Sequence, residues 1–464
     1  LALAPTKYPN LKPWELMISE SQERMTFAVA PTDIDAFLDL ASRRGVVATD
    51  IGSFTDSGLL EVLYNGTYVG CLDLDFLHES LPQMQLKARW EGPIDRVSWI
   101  DKDLRRDPSS LSWSEKLKGL LSTPNVVSKE PWVRQYDHEV QGATVVKPFG
   151  GDSQQGPNDS GVLWLHPHGG SKDNAVSVGC GLAPRLSLYD PYIMAQMAVD
   201  EAIRNIVATG ADIDQACALD NFCWPNPILS EQVPDGDLKL GQLVRCCEGL
   251  YDICTAYGLP LVSGKDSMKN DFRGRNGRGE ALTISILPTL LVTAMGRSNV
   301  GRIQTSDFKR AGDVILRVGM PHTSFTGSEF AEHFSVSDAP VQIDLAANLT
   351  LYRLIRDVLQ EGLLQSVHDI SDGGTLCALA ESCFGNDLSV AVTLPVEDEV
   401  LFAEGAGGFI ISVSPHKLEE LSAKLDAVAV TFQQVGTVTD SGSLTLNGEG
   451  VSVAELKNAW TREL

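Results

Sequence analysis

Four short segments carry the residue types that hold a divalent cation or cradle a phosphate. In AVDEAIRN (198–205), Glu201 and Asn205 lie four residues apart, so a helix sets their oxygens one turn apart on one face. Two such oxygens suit Mg²⁺, which takes carboxylates and amides and keeps several waters. A solvated polar face fits the same spacing and is the simpler reading of it. GPNDSGVLWL (156–165) puts Asn158 and Asp159 at a Gly/Pro turn before an apolar strand, where Asp159 is either a ligand or a turn-capping carboxylate. VHDISDGG (367–374) sets Asp369, Ser371 and Asp372 before two glycines and a helix expected from about Leu376. It reads as a cap and turn, or as a metal–phosphate loop at a helix N-terminus. His368 beside it reads as structural, because spacing alone yields no nucleophile–base pair. VSGKDSMKND (262–271) follows an apolar strand with Gly264, Lys265 and Ser267, a phosphate-compatible set that is not a Walker A sequence. ALDNFCWPNP (218–227) places Asp220 and Asn221 at a strand's C-terminal end, where ligands of α/β sheets often sit. ISESQER (18–24) offers Glu20, Ser21 and Gln22 in a polar loop. Singly each segment is ambiguous; together they suit a Mg²⁺–nucleotide site.

The elements that must position these groups occur partly in duplicate. Residues 25–58 and 409–442 align without a gap at an offset of 384, so that Gly52 matches Gly436, Thr55 matches Thr439 and Asp56 matches Asp440. Both copies repeat an apolar i, i+3, i+7 helical stripe, Ile34/Phe37/Ala41 and Leu418/Leu421/Leu425. The loop that precedes the second copy, 367–374, would fall before residue 1 in the first. The expectation is a C-terminal part of a longer duplicated protein. Strands are expected at 25–30, 47–52 and 59–64, the last turning at Asn65–Gly66 into another, with a helix over about 32–44. Residues 89–127 read as a connector with a helix near 113–121. Further strands are expected near 143–147, 161–166, 214–219, 259–263 and 283–294, and helices over 191–209 and 239–257. Asp190 before Pro191 is an N-cap followed by proline at the first helical position. NDFRGRNGRGE (270–280) reads as a mobile Gly/Arg loop, and 281–296 as two buried strands broken at Pro288.

At 464 residues the chain has room for about three domains. Its net charge of -24 argues against nucleic acid, since a phosphate-tracking surface needs surplus Lys and Arg. Nine scattered cysteines without a CxxC pair or zinc spacing suggest free thiols in a reducing cytoplasm. No stretch reads as a membrane span, and the expected localisation is cytoplasmic.

The motifs ELMISESQERM, IGSFTDSG, PNDSGV, LYDPY with AVDEAIRN, LDNF, VSGKDSM and VHDISDGG occur in this order along nearly the whole chain. The set resembles phosphoribosylformylglycinamidine synthase, an ATP-dependent amidotransferase of purine biosynthesis. The resemblance implies an α/β (α+β) fold with the duplicated A/B architecture of the aminoimidazole ribonucleotide synthetase-like superfamily, the first A domain missing. On it, 1–88 is the end of a first B domain, 89–127 the connector, 128–300 a second, barrel-forming A domain and 301–464 a second B domain. The implied reaction converts formylglycinamide ribonucleotide, ATP and ammonia to formylglycinamidine ribonucleotide. The implied metal ligands are Asp159, Glu201, Asn205 and Asp369, with ATP or ADP and Mg²⁺ as cofactors. Nucleotide contacts would be Lys129, Asn158, Asp220, Gly264, Ser267 and Ser371, and substrate contacts Glu20, Ser21 and Gln22. Lys265 stands where the small form of the family has an asparagine ligand, which points to a phosphate contact instead. No catalytic residue carries over: the family's catalytic histidine belongs to the first A domain. The implied partners are the substrate, the missing N-terminal half and a glutaminase subunit or domain, with neither nucleic acid nor membrane. The alternatives are a non-catalytic Mg²⁺–nucleotide scaffold or another ATP-dependent enzyme of the superfamily.

Overall fold

The computed structural model describes residues 1–20, 24–92, 107–334, 336 and 341–462. It divides into two compact units, Leu1–Gln85 and Leu86–Leu464.

In the smaller unit the duplicated helix forms over Ile34–Arg43, and Leu59–Tyr64 pairs antiparallel with Thr67–Asp73 across Asn65–Gly66. The strands expected at 25–30 and 47–52 are absent. The second copy gives the reason. There Gly408–Val413 is held by Val314–Gly319 and Leu364–Asp369, and Phe432–Thr439 by Val314–Gly319 and Ser389–Val392. Among the described residues nothing pairs with 24–29 or 48–55. An unpaired segment has no ladder to satisfy its N–H and C=O groups and takes no strand geometry. The side chains follow. Val435 and Val438 are 1% and 2% exposed, while the matching Ile51 and Phe54 are 61% and 84% exposed.

The larger unit is built on two mixed sheets. The first runs Thr144–Val146, Gly161–Trp164, Asn174–Leu182, Thr289–Asn299, Ala216–Cys223, Leu261–Ser267, antiparallel except for the last pair. The second has seven strands, with Leu364–Asp369 at one edge next to Gly408–Val413 and Val314–Gly319. Between them lies the Pro191–Ala208 helix, opened by the Asp190 side chain accepting the Tyr192 N–H at 3.0 Å. It is buried on nearly every side, with Met194, Ala198, Val199 and Ile203 in one core with Leu316, Ile355 and Phe409. The first sheet comes closest to this helix through small residues, Gly179 and Gly181 on one strand and Gly296 on the next, while Leu290 and Val292 fill the same face further along. A Cβ on Gly181 would stand 2.2 Å from the Ala198 carbonyl oxygen, so only glycine permits this approach. Those small inward residues also hid the Asn174–Leu182 strand, which has no expectation above, because its period of two carries no apolar signal on the buried face.

Three further expectations change. The Gly/Arg segment is no loose loop: Asp271–Arg275 pairs with Ala281–Ser285, and Asn276 closes the turn by accepting the N–H groups of Arg278 and Glu280 at 2.9 and 3.0 Å. Ala281–Ser285 is largely exposed rather than buried. The helix expected in the connector forms over Trp113–Leu121, but it is part of the core. Ser112 caps it, and Leu117, Leu120 and Leu121 pack fully buried against Phe330, Leu376 and Phe402. All nine cysteines are free. Among the described residues no helix is long and apolar enough to cross a membrane.

Candidate metal–nucleotide site

The charged stretch of the Pro191–Ala208 helix is not a solvated face. Asp200 and Arg204 are 0% and 1% exposed, and Glu201 and Asn205 are partly buried. Asp200 is the centre of a buried network. Its Oδ1 accepts from the Tyr257 and Tyr352 hydroxyls at 2.7 and 2.6 Å and from Asn348 Nδ2 at 3.1 Å. Its Oδ2 accepts from Arg204 Nη1 at 2.5 Å and the Gly407 N–H at 3.1 Å. Such a charge is stable inside only because its lone pairs are filled. Glu201 and Asn205 reach back to the Asn174–Leu182 strand. Glu201 Oε2 accepts the Leu182 N–H at 2.8 Å, and Asn205 Nδ2 donates to the Cys180 carbonyl at 2.8 Å. With its Nδ2 spent on the strand, Asn205 has its Oδ1 as the atom that could meet a cation.

Leu364–Asp369 delivers His368 and Asp369 to the same region, and the turn before Gly161–Trp164 delivers Asp159. His368 Nδ1 lies 2.6 Å from Asp159 Oδ1 and 3.7 Å from Asp369 Oδ1, and its Nε2 lies 3.3 Å from Glu381 Oε2. One ligand atom from each of Asp159, His368 and Asp369 falls within 4.8 Å of the others. Asp159 Oδ2 is buried without a hydrogen-bond partner. A buried carboxylate oxygen left unfilled is costly, and a cation would fill it. The donor set of carboxylates and an amide fits Mg²⁺.

The loop after Asp369 turns through Gly373 and Gly374 at φ +81° and +72°, which favours glycine, and the Gly374–Glu381 helix starts at once. Ser371 Oγ donates to Asp369 Oδ1 at 3.4 Å. Glu404 Oε1 accepts the Gly373 and Glu329 N–H groups at 2.7 and 2.9 Å, while Glu329 accepts from Asn125 Nδ2 at 2.6 Å and pairs with Arg185. Lys129 donates to the Asn125 carbonyl at 2.9 Å, and Asp372, Glu329 and Glu381 act on its charge.

This crowd of acids disfavours its own charge. Burial, then Asp372 and Asp369, push Glu201 up to about 8. Burial lifts Asp159 to about 6 against the pull of His368. Asp372 is exposed, yet loss of surrounding water and the nearby Glu329 raise it to about 7. Burial works against a charged His368, but Asp159 and Glu381 outweigh it and hold the imidazole well above its ordinary range. The ring thus bridges the two acids, Nδ1 toward Asp159 and Nε2 toward Glu381.

Asp159 and Asp369 therefore meet, Ser371 contacts Asp369, Glu201 feels Asp369 and Asp372, and Lys129 feels Asp372; Asn205 is one turn from Glu201 on its helix. Asn158 is next to Asp159 but turned to the backbone, donating from Nδ2 to the Lys147 carbonyl at 2.8 Å. Asp220, Gly264 and Ser267 lie apart, on the parallel pair Ala216–Cys223 and Leu261–Ser267. Asp220 faces Gly264 there, and a Cβ at Gly264 would stand 2.9 Å from Asp220 Oδ1. Lys265 donates to the Ser267 hydroxyl. Glu20 is exposed in the smaller unit, and Ser21 and Gln22 lie outside the described residues. His368, read as structural, is found bridging Asp159 and Glu381. Asp200, Arg204, Glu329, Glu381 and Glu404 were missed. A signal existed for two of them: Asp200 and Arg204 are opposite charges four apart, one turn of helix, in a mostly apolar stretch.

Two family models match the chain. AIR synthase related protein, C-terminal domain, matches residues 2–65 and again 310–449; AIR synthase related protein, N-terminal domain, matches 157–296. The chain belongs to the AIR synthase related proteins. Within that class its relatives are the PurL subunits of phosphoribosylformylglycinamidine synthase. The subunit of Thermomicrobium roseum is 33% identical over 477 residues, taking in 100% of this chain and 61% of that protein. The subunit of a Nocardioides species is 31% identical over 99% of this chain and 58% of that protein. The chain thus spans about three fifths of the relatives it matches. Thermotoga maritima PurL complexed with ATP has the same fold, with a TM-score of 0.56 at 20% identity over 94% of this chain and 58% of that one. The same protein complexed with FGAR gives a TM-score of 0.54 at 18% identity over 76% of this chain and 54% of that one.

Proposed function

We propose that this chain takes part in the ATP-dependent conversion of formylglycinamide ribonucleotide to formylglycinamidine ribonucleotide, and that its larger unit holds an ADP or ATP with Mg²⁺. The reaction is supported by similarity to PurL subunits along the whole chain, and by solved PurL complexes with FGAR, ATP and ADP. The nucleotide reading rests on one observation: Asp159 and Asp369 meet with a buried, unfilled oxygen on Asp159. Asp159, Asp369, Glu201 and Asn205 would hold the metal. Bound there, Mg²⁺ offsets phosphate charge. Lys129 and Ser371 stand ready as a point charge and a hydroxyl for phosphate oxygens. Asp220, Gly264, Ser267 and Lys265 would contact nucleotide or substrate phosphate elsewhere, as would Glu20, Ser21 and Gln22 the ribonucleotide. The domain scheme is that set out above, with 1–88, 89–127, 128–300 and 301–464 as its parts. A first A domain with the catalytic histidine, and a glutaminase supplying ammonia, would complete the activity; the Thermotoga assembly named PurLQS fits such a partner. The compartment proposed is the cytoplasm.

A second reading is favoured by where the acids lie. They sit around a helix enclosed by both sheets and rooted in their common core. A nucleotide there would brace the fold without turnover, stabilising it by binding the native state alone. Calorimetric titration of the nucleotide-stripped chain with ADP, with and without Mg²⁺, tests the site. Mg²⁺-dependent binding that disappears in Asp159→Asn supports it; a folded chain that binds no ADP sinks it. Turnover in the presence of the remaining PurL portion and a glutaminase then separates the catalytic role from the bracing one.

A further inference from the structure

We infer that Arg204 is a positioning residue that sets which divalent cation the site accepts, by withholding one oxygen of Asp369. The inference rests on the Mg²⁺–nucleotide reading above. Arg204 Nε donates to Asp369 Oδ2 at 3.3 Å, while its Nη1 donates to Asp200 Oδ2 at 2.5 Å and the Gly405 carbonyl at 3.1 Å. The other Asp369 oxygen, Oδ1, faces Ser371 Oγ at 3.4 Å and His368 Nδ1 at 3.7 Å. The two oxygens of one carboxylate are thus divided. Oδ2 answers the guanidinium inside, and Oδ1 is turned to the acid cluster.

That division has a chemical consequence. An oxygen engaged by a guanidinium is a poor ligand, so Asp369 offers a cation one oxygen and not two. Mg²⁺ requires near-octahedral geometry with single oxygens, whereas Ca²⁺ takes six to eight oxygens and uses carboxylates in bidentate fashion. A site denied a bidentate carboxylate favours the smaller ion. The guanidinium is not free to swing aside. Its planar fork spans both carboxylates at once. Asp200, its other anchor, is itself fixed by Tyr257, Tyr352, Asn348 and the Gly407 N–H. Lysine keeps the charge but is a single point on a flexible stem, and it cannot serve Asp200 and Asp369 in the same way. In Arg204→Lys the ammonium satisfies Asp200, and Asp369 Oδ2 turns to the metal.

The experiment is calorimetric titration of the ADP-loaded full chain with Mg²⁺ and with Ca²⁺, for wild type and Arg204→Lys, with thermal denaturation to establish folding. The wild-type chain is expected to prefer Mg²⁺. Arg204→Lys is expected to lose about tenfold in Mg²⁺ affinity, the scale typical of groups that orient a metal ligand, while Ca²⁺ affinity holds or rises. Equal losses for both ions mean a merely structural role and overturn the inference, and so does a wild-type chain that binds the two ions alike. Should Arg204→Lys fail to fold, the wild-type preference decides: Mg²⁺ first supports it, and Ca²⁺ equal or first overturns it. A wild-type chain that binds ADP without either metal removes the underlying site, a result distinct from unchanged selectivity.

Discussion

His368 Nδ1 lies 2.6 Å from Asp159 Oδ1, although 209 positions separate the two residues in the chain. The contact ties an edge strand of the second sheet to a turn at the start of the first. The same pair borders the unfilled Asp159 Oδ2, so structural tie and candidate metal site are one place.

Nucleotide binding should strengthen with pH. Glu201 at about 8 and Asp159 at about 6 must both lose protons to ligate a cation. Mg²⁺–ADP affinity measured by calorimetry is therefore expected to rise from pH 6 to pH 9. Glu201→Gln should weaken binding at every pH and flatten the upper part of that rise. Binding that is constant across the range would contradict the carboxylate assignment.

Asp200 should be among the most costly residues to truncate. Asp200→Ala takes the shorter of the two carboxylate partners from Arg204 and removes the acceptor of two tyrosine hydroxyls, Asn348 and the Gly407 N–H. Breaking a buried pair on one side costs about 3–5 kcal/mol. Denaturant unfolding followed by circular dichroism should show a loss on that scale, larger than for truncating the exposed Asp214 of the Arg353 pair.

Gly181→Val should separate the Asn174–Leu182 strand from the helix that carries Glu201. The added side chain meets the Ala198 carbonyl oxygen and the Ala202 nitrogen, both backbone. Overpacking of this kind costs roughly 1–3 kcal/mol. Because Leu182 N–H holds Glu201, Mg²⁺–ADP affinity should fall along with melting temperature. A stability loss with unchanged affinity would argue against the strand's part in the site.

Acid should unfold the larger unit partly through His322. Its ring packs against Gly405 and Gly408, and burial, with Arg204 and Arg317, holds its pKa at about 3, below the ordinary 6.5. Protonation thus favours the unfolded chain. The contribution is complete above about pH 6.5 and is lost as pH falls toward 3, with a slope of up to about 1.4 kcal/mol per pH unit. Melting curves between pH 7.5 and 4.5 should slope less steeply for His322→Gln than for wild type.

The apolar side chains left open in the smaller unit should bind a hydrophobic dye. Ile51→Ser with Phe54→Ser is expected to lower the fluorescence of an added dye without moving the main melting transition, since neither residue is buried. Unchanged dye binding would place the apolar surface elsewhere.

The sequence by itself determined the local elements and the inventory of the site. Asp190–Pro191 announced the start of the Pro191–Ala208 helix, because a cap and a fixed φ act within one turn. The matched stripes at Ile34 and Leu418 announced two helices of identical placement, Ile34–Arg43 and Leu418–Ala427, because periodicity is local. The acids of PNDSG, AVDEAIRN and VHDISDGG were legible as ligand types and as a family resemblance. Only the tertiary structure decided the rest. It turned a face that spacing reads as solvated into the interior, since burial depends on which sheets cover the helix. It made strands of 408–413 and 432–439 but not of the matching 24–29 and 48–55, since a ladder needs a partner that local sequence does not encode. And it joined His368 to Asp159 and Arg204 to Asp369, since charge pairing across 165 or 209 residues exists only once both sheets have closed on one core.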